Sequence, residues 1–174
     1  IRRIDAIDGD YTFDFMTSHP KDCSFELIDV LSESKHFCGH LHLPVQSGNN
    51  RILKEMNRHY DRETYLGLVN YMREKMPDIA ITTDIIVGFP GESDEDFEAT
   101  LEMLRKVRFD MTYSFIYSPR KDTPAAAMEC QTPDAIKGER MNRLLETQNE
   151  IALEKNKPLE NKILRVLCDG KNNV

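Results

Sequence analysis

The sequence has few cysteines and no long apolar run. Its four cysteines, Cys23, Cys38, Cys130 and Cys168, are far apart and form no C-x-x-C pair. This spacing excludes a disulfide-rich scaffold and favours reduced thiols in a cytosolic protein. No apolar stretch approaches the roughly 20 residues that a membrane-spanning helix needs, and no signal peptide or lipidation motif opens the chain. We therefore expect a cytoplasmic protein with no membrane partner.

The sequence also lacks an excess of positive charge. Its 174 residues include 23 Lys and Arg against 30 Asp and Glu, which gives a formal net charge of −7. Proteins that bind nucleic acid usually carry a basic excess, so the chain as a whole is a poor candidate for that class. The net charge is an average, however, and it leaves room for a local basic site.

Both ends of the chain indicate a fragment. The chain starts at Ile1 rather than at a methionine, and it stops soon after a strand-like run at residues 163–167. We therefore expect this chain to be part of a longer protein.

Strand-like and helix-like segments alternate along the sequence. Patterns typical of strands cover residues 11–17, 40–45, 79–87 and 111–117, and a helical pattern lies in each gap. Starts that lie roughly 30–40 residues apart are typical of βαβ units in an α/β fold with a parallel sheet. The sheet is either a barrel or doubly wound. Four strands do not close a barrel, so we expect a larger barrel with further strands outside this chain.

Several helix boundaries have specific signals. Ser93 with Asp96 predicts a capping box, and Asp61 predicts an N-cap. Thr132 and Pro133 predict the N-cap and first residue of a long helix that ends near residue 156.

Candidate site residues lie at the carboxyl ends of the predicted strands, where parallel α/β folds bind their ligands. These ends, residues 17–20, 44–48, 87–92 and 117–120, are rich in Gly, Pro and polar residues, which plain turns also need. Gln46 is the most specific of them, because it shares a strand face with His40 and His42. Its amide both donates and accepts, which suits a ribose or an amino acid group; the alternative is a glutamine satisfied by backbone.

Other patterns have a structural interpretation beside a functional one. Cys38, His40 and His42 alternate on one strand face, but neighbours there lie ~7 Å apart, so we do not expect all three to meet on one metal ion. The Glu92 carboxylate suits a ligand ammonium or hydroxyl, whereas the acidic run after it is chiefly helix capping. An aromatic stripe is expected in the core and comprises Tyr113, Phe115 and Tyr117.

Several longer motifs resemble those of the radical-SAM methylthiotransferases over roughly residues 12–160. The motifs are His42-Leu-Pro-Val-Gln-Ser-Gly48, Arg51-Ile-Leu-Lys54, Met56-Asn-Arg58, Ile81-Thr-Thr-Asp-Ile-Ile-Val-Gly-Phe-Pro-Gly-Glu92, Phe115-Ile-Tyr-Ser-Pro-Arg120 and Thr123-Pro-Ala125. The first and fifth are most similar to the MiaB branch, which adds a methylthio group to carbon 2 of N6-isopentenyladenosine beside the tRNA anticodon.

The resemblance implies a fold and a domain organisation. Residues 1–156 would be the later part of a partial parallel (βα)6 radical-SAM, TIM-like barrel, and residues 157–174 would begin a TRAM-type β domain with its first strand. It implies S-adenosylmethionine and two 4Fe–4S clusters as cofactors of the parent enzyme, with tRNA and a reductant protein as partners of a monomer. The C-x3-C-x2-C motif of the family is absent here, so this chain should hold no cluster ligand and no catalytic residue.

The resemblance also implies part of a cofactor pocket. By strand-end position, Gln46 and Ser47 would meet the ribose or methionine end of S-adenosylmethionine, and Gly88 would line the middle. Four more residues would lie near adenine, the substrate or the edge of the pocket, namely Ser18, His19, Ser118 and Arg120.

The sequence leaves two alternatives open. One is a sister branch that modifies threonylcarbamoyladenosine in tRNA or an aspartate of a ribosomal protein. The other is a module without clusters that binds a nucleotide or a protein partner.

Overall fold

The computed structural model describes residues 1–15, 19–164, 166 and 170. Three parallel strands alternate with helices in this part of the chain, which confirms the α/β class. Two short 3-10 helices, Pro124–Ala127 and Lys157–Leu159, flank the last α-helix. The elements are α1 (Arg2–Asp5), α2 (Phe25–Glu33), β1 (His40–His42), α3 (Asn50–Glu55), α4 (Arg62–Lys75), β2 (Ala80–Val87), α5 (Asp94–Val107), β3 (Met111–Ile116) and α6 (Asp134–Asn156).

The sheet has the order β1-β2-β3, with every pair parallel. His42 lies opposite Thr82, and Asp84 lies opposite Tyr113. A single bridge between Gln46 and Ile85 continues the β1 edge beyond the strand. The carboxyl ends of the three strands therefore meet at one edge of the sheet.

The first strand was predicted at residues 11–17, but the described residues 11–15 do not form a strand. One parallel bridge joins Phe13 to Phe37, and residues 16–18 lie outside the described residues. The last predicted strand, residues 162–168, is not formed at residues 162–164, and residues 165 and 167–169 lie outside the described part.

The two faces of the sheet differ in polarity, as the alternation in the sequence predicts. Leu41, Leu43 and Val45 are fully buried on the face that packs against the helices, together with Ile81 and Ile85. Burial of each such side chain contributes about 1.5–3 kcal/mol to folding. The opposite face, here called the inner face, is the polar one. It carries His40, His42, Thr82, Asp84, Tyr113 and Phe115.

Helix starts follow the capping signals closely. Asp61 accepts a hydrogen bond from the Thr64 N–H as the N-cap of α4, and Ser93 forms the predicted capping box with Asp96 at the start of α5. The predicted start of α6 is wrong by one residue. Pro133 occupies the N-cap because the Thr132 hydroxyl instead donates to the Phe89 carbonyl, 3.1 Å away.

No helix in the described part of the chain has the length and apolar character needed to cross a membrane.

Candidate functional site

A cavity of about 1010 Å³ opens at the carboxyl ends of the strands. Its size is at the upper end of the roughly 300–1000 Å³ that small-molecule sites occupy. Apolar, polar and charged side chains line it, so the cavity suits a ligand that combines a ring system with charged groups. The lining residues include Gln46, Lys54, Glu55, Asn57, Arg58, Ile86, Phe89, Phe115, Tyr117, Ser118, Arg120 and Thr123.

Gln46 lines this cavity in a strained backbone conformation. Its φ is +67°, and the residue as a whole is only 8% exposed. Its N–H donates to the Asp84 carbonyl at 2.9 Å, and its carbonyl accepts from the Ile86 N–H at 3.0 Å. These bonds to β2 hold a conformation that non-glycine residues seldom adopt, and such outliers concentrate at functional sites.

Two buried polar atoms at the cavity have no hydrogen-bond partner among the described residues. They are the hydroxyl oxygen of Tyr117 and the Nε of Arg58. An unpaired buried polar group costs about 1–3 kcal/mol, so a ligand that pairs with these atoms regains that energy. Arg58 stands in a family motif and Tyr117 in the aromatic stripe, and neither was a predicted site residue.

Ser118 and Arg120 line the same cavity, as their position after β3 predicted. Lys54, Arg58 and Arg120 bring three positive charges to the lining against the one carboxylate of Glu55. The cavity is therefore a local basic site in an acidic chain.

Ser47 and Gly88 do not line the cavity. Ser47 is fully buried, and its Oγ accepts from the Asn49 N–H at 3.2 Å in the turn that starts α3. Gly88 has a φ of +75°, and its N–H donates to a Glu92 carboxylate oxygen at 2.9 Å. A Cβ at Gly88 would lie 2.4 Å from the Lys137 side chain, so this turn requires a glycine.

One aromatic contact places His19 near the segment that follows β1. Its ring meets that of Tyr60 edge-on, 5.5 Å between centroids, and the Tyr60 hydroxyl donates to the Pro44 carbonyl at 3.2 Å. Burial raises the pKa of Tyr60 to about 12, so this hydroxyl stays protonated. Ser18, the neighbouring candidate, lies outside the described residues.

Glu92 is not available to a ligand, which corrects the expectation from sequence. Its side chain is 1% exposed and receives a hydrogen bond from Arg140 at 2.8 Å, in addition to that from Gly88. Burial raises the pKa of Glu92 above its ordinary value, although the Arg140 charge opposes the shift. Glu92 therefore fixes the β2–α5 turn rather than a ligand.

The aromatic stripe is also placed differently from the prediction. Tyr113 is 49% exposed and Phe115 is 53% exposed, because both lie on the open inner face of the sheet. Tyr117 continues this face into the cavity and meets Phe89 edge-on, 5.3 Å between ring centroids.

Cys38, His40 and His42 do not meet at one point, as their spacing along the chain predicted. His42 turns toward Asp84, with 3.4 Å between Nε2 and Oδ1, whereas Cys38 and His40 gather around Asp14. No sequence pattern had associated Asp14 with these residues, since it lies on a different segment.

Comparison with known proteins identifies the family. The Radical SAM superfamily model matches residues 1–104. A protein of Caldicellulosiruptor saccharolyticus, named tRNA-2-methylthio-N(6)-dimethylallyladenosine synthase, is 55% identical over 98% of this chain and 36% of its own length. A protein of Carboxydothermus hydrogenoformans with the same name is 51% identical over 97% of this chain and 38% of its own length.

A solved structure agrees with this at the level of the fold. Coproporphyrinogen III oxidase from Escherichia coli, described as a radical SAM enzyme, superposes with a TM-score of 0.65 at 22% identity. The superposition covers 78% of this chain and 31% of that enzyme. The chain thus spans little more than a third of the length of the curated relatives it matches. Its parallel strands form part of a TIM-barrel-like fold, and the chain belongs to the radical SAM superfamily.

Proposed function

We propose that this chain forms the later part of the barrel in a longer tRNA methylthiotransferase, which acts on carbon 2 of N6-isopentenyladenosine. The observation that carries this proposal is the identity of 49–55% across nearly the whole chain to proteins named for that reaction. The motifs that carry the resemblance include two that surround the cavity, at residues 56–58 and 115–120.

The cavity fits S-adenosylmethionine, which the family uses with an iron–sulfur cluster. The unpaired Tyr117 hydroxyl and Arg58 Nε provide two donors that lack a protein acceptor among the described residues. Apolar walls at Ile86, Phe89 and Phe115 suit the adenine ring and the methionine chain. When bound beside a reduced cluster, this cofactor supplies a methyl group and radical hydrogen abstraction.

The residues of this chain would bind, orient and shield that cofactor. The Gln46 amide both donates and accepts, which suits the ribose hydroxyls. Arg58 and Arg120 would pair with the carboxylate, since the planar guanidinium matches it in two parallel hydrogen bonds. Phe89 and Phe115 would exclude water from the reacting centre.

The remaining candidates have supporting roles in this proposal. Ser47 and Gly88 would shape the two turns beneath the cavity, and His19 and Ser18 would lie at its edge. These turns would fix the position of Gln46, because the Gln46 backbone forms hydrogen bonds directly with β2.

The same proposal assigns the rest of the enzyme. Residues 1–156 would belong to the barrel, and residues 157–174 would begin a TRAM-type domain. The ligands of two 4Fe–4S clusters and much of the tRNA contact would lie outside this chain. We place the parent enzyme in the cytoplasm as a monomer that receives electrons from a reductant protein.

The test starts from the coding DNA on both sides of this segment. We expect a C-x3-C-x2-C motif upstream and a basic β domain downstream. The full reading frame is then expressed in a strain that lacks the tRNA methylthiotransferase, and its tRNA nucleosides are measured by mass spectrometry. We expect 2-methylthio-N6-isopentenyladenosine to return.

Three outcomes would contradict the proposal. A methylthio product of threonylcarbamoyladenosine, or of a ribosomal protein, would assign a sister branch. A start codon just before Ile1 with no cysteine motif would leave a binding module without radical chemistry. An unmodified tRNA pool despite a reconstituted cluster would refute the activity itself.

A further inference from the structure

A continuous row of five polar side chains crosses the inner face of the sheet. This inner row comprises Asp14, His40, Thr82, His42 and Asp84. Asp14 Oδ2 lies 3.1 Å from His40 Nδ1, and His40 Nε2 lies 2.9 Å from the Thr82 hydroxyl. His42 Nδ1 lies 2.9 Å from that hydroxyl, and His42 Nε2 lies 3.4 Å from Asp84 Oδ1.

With both histidines neutral, the inner row is one hydrogen short of filling its four contacts. Four contacts each need one hydrogen between the two heavy atoms. Two neutral histidines provide one N–H each and Thr82 provides one O–H, whereas the two carboxylates provide none. One of the four contacts therefore has two lone pairs facing each other, unless a further proton or a metal ion supplies the missing positive charge.

The end of the row at Asp14 has a further ligand beside it. Cys38 lies two residues before His40, just outside β1, and the ligand atoms of Asp14, Cys38 and His40 all lie within 4.8 Å of one another. At this end, Thr82 can accept the His40 Nε2 hydrogen, which leaves the Nδ1 lone pair directed at the carboxylate and thiol. A metal-bound histidine characteristically donates its other N–H to such an oxygen.

We propose that Asp14, Cys38 and His40 form a three-ligand site for a thiophilic divalent cation, with zinc as the fitting ion. The donor set of one carboxylate oxygen, one sulfur and one imidazole nitrogen matches zinc chemistry. Asp14 and Cys38 are exposed, so water completes the fourth position. On binding, the Cys38 thiol loses its proton to solvent, and the ion supplies the missing positive charge of the inner row.

This site is separate from the strand-end cavity. None of its three ligands lines that cavity, and His40 lies six positions before Gln46, up to roughly 20 Å away at ~3.3 Å per strand residue. The metal site therefore stands or falls independently of the proposed methylthiotransferase function.

Cobalt(II) is the probe, since a cobalt–thiolate bond gives an ultraviolet charge-transfer band and visible d–d bands. The metal-free 174-residue chain is titrated with cobalt, then with zinc, and the matched control is C130S, which removes another exposed free thiol. We expect one equivalent of cobalt to give the thiolate band in wild type and in C130S, and zinc to abolish it. We expect C38S to lose the band.

Two further variants separate coordination from a mere thiol contact. T82V removes the hydroxyl that orients His40, and we expect it to weaken zinc binding by roughly 10–100-fold. H40Q removes a ligand, and we expect a larger loss. The proposal is overturned by a missing band in folded wild type, by a band that persists in C38S, or by zinc affinity that H40Q leaves unchanged.

Discussion

The buried ion pair between Glu92 and Arg140 makes a sharp prediction about folding. Arg140 is 5% exposed at its side chain and donates to the Glu92 carboxylate at 2.8 Å and to the Glu92 carbonyl at 3.0 Å. Replacement by methionine keeps much of the side-chain volume but leaves a buried carboxylate with only the Gly88 N–H. Breaking one side of a buried pair costs about 3–5 kcal/mol, so we expect R140M to lose that much unfolding free energy.

The pH dependence of this loss has a definite sign. Burial already raises the pKa of Glu92, and removal of the Arg140 charge, which opposes that shift, raises it further. A carboxyl whose folded pKa is raised stabilises the fold fully below its unfolded pKa, and that contribution disappears as the pH rises through the folded value. The R140M penalty should therefore be larger at pH 8 than at pH 5.

Urea unfolding followed by circular dichroism measures both effects. E92Q in the R140M background removes the stranded charge while keeping an oxygen for the Gly88 N–H, so the double variant should be more stable than R140M. The exposed Arg105 of α5 offers a control, and R105Q should change stability by less than about 0.5 kcal/mol. An R140M loss below about 1 kcal/mol, or an equal loss at both pH values, would refute the reasoning.

Three further predictions concern the turn before α3 and the helices α4 and α5. G48A should destabilise the fold by about 1–3 kcal/mol in urea unfolding, because the new Cβ would lie 2.4 Å from the Ala99 carbonyl oxygen. Gly67 lies inside α4 with open space around it, so G67A should instead stabilise the fold by about 0.5–1 kcal/mol in the same assay. D96N should lose about 1.5–3 kcal/mol at pH 7. Burial pushes the pKa of Asp96 up, but hydrogen bonds from the Ser93 N–H and Arg51 hold it below its ordinary value, so the loss should vanish as the pH falls through that lowered pKa.

Local sequence patterns predicted the parts of this fold that depend on near neighbours. The alternation of Leu41 and Leu43 with His40 and His42 identified both faces of β1, because side chains alternate along a strand whatever packs on them. The capping box at Ser93 was equally predictable from the sequence, since its hydrogen bonds join residues three positions apart.

The errors in the site came from partners that lie far along the chain. Glu92 lies in a turn whose composition is typical of a ligand-binding site, but Arg140, 48 residues later, forms an ion pair with its carboxylate. Asp14 joins His40 across 26 residues. No periodicity or spacing indicates which distant side chain completes such a group, so Arg58 and Tyr117 also became site residues only through the three-dimensional arrangement.

The aromatic stripe shows a second kind of error. Tyr113 and Phe115 have the spacing of core residues and do share one strand face, as predicted. That face is open in this structure, and both side chains are about half exposed. Periodicity identifies which residues share a strand face. Whether that face is covered depends on segments far along the chain, which a local pattern does not identify.

The most direct test of the central claim measures S-adenosylmethionine binding to the longer protein that carries this chain, with its cluster reconstituted. Equilibrium dialysis compares wild type with R58Q, Y117F and the distant control R105Q. A lost hydrogen bond to a charged group costs about 1.5–3 kcal/mol, so R58Q should weaken binding by roughly 10–100-fold. Y117F should weaken it by about 2–10-fold, and R105Q should match wild type. Equal affinities for all four proteins would contradict the assignment of the strand-end cavity as the cofactor site.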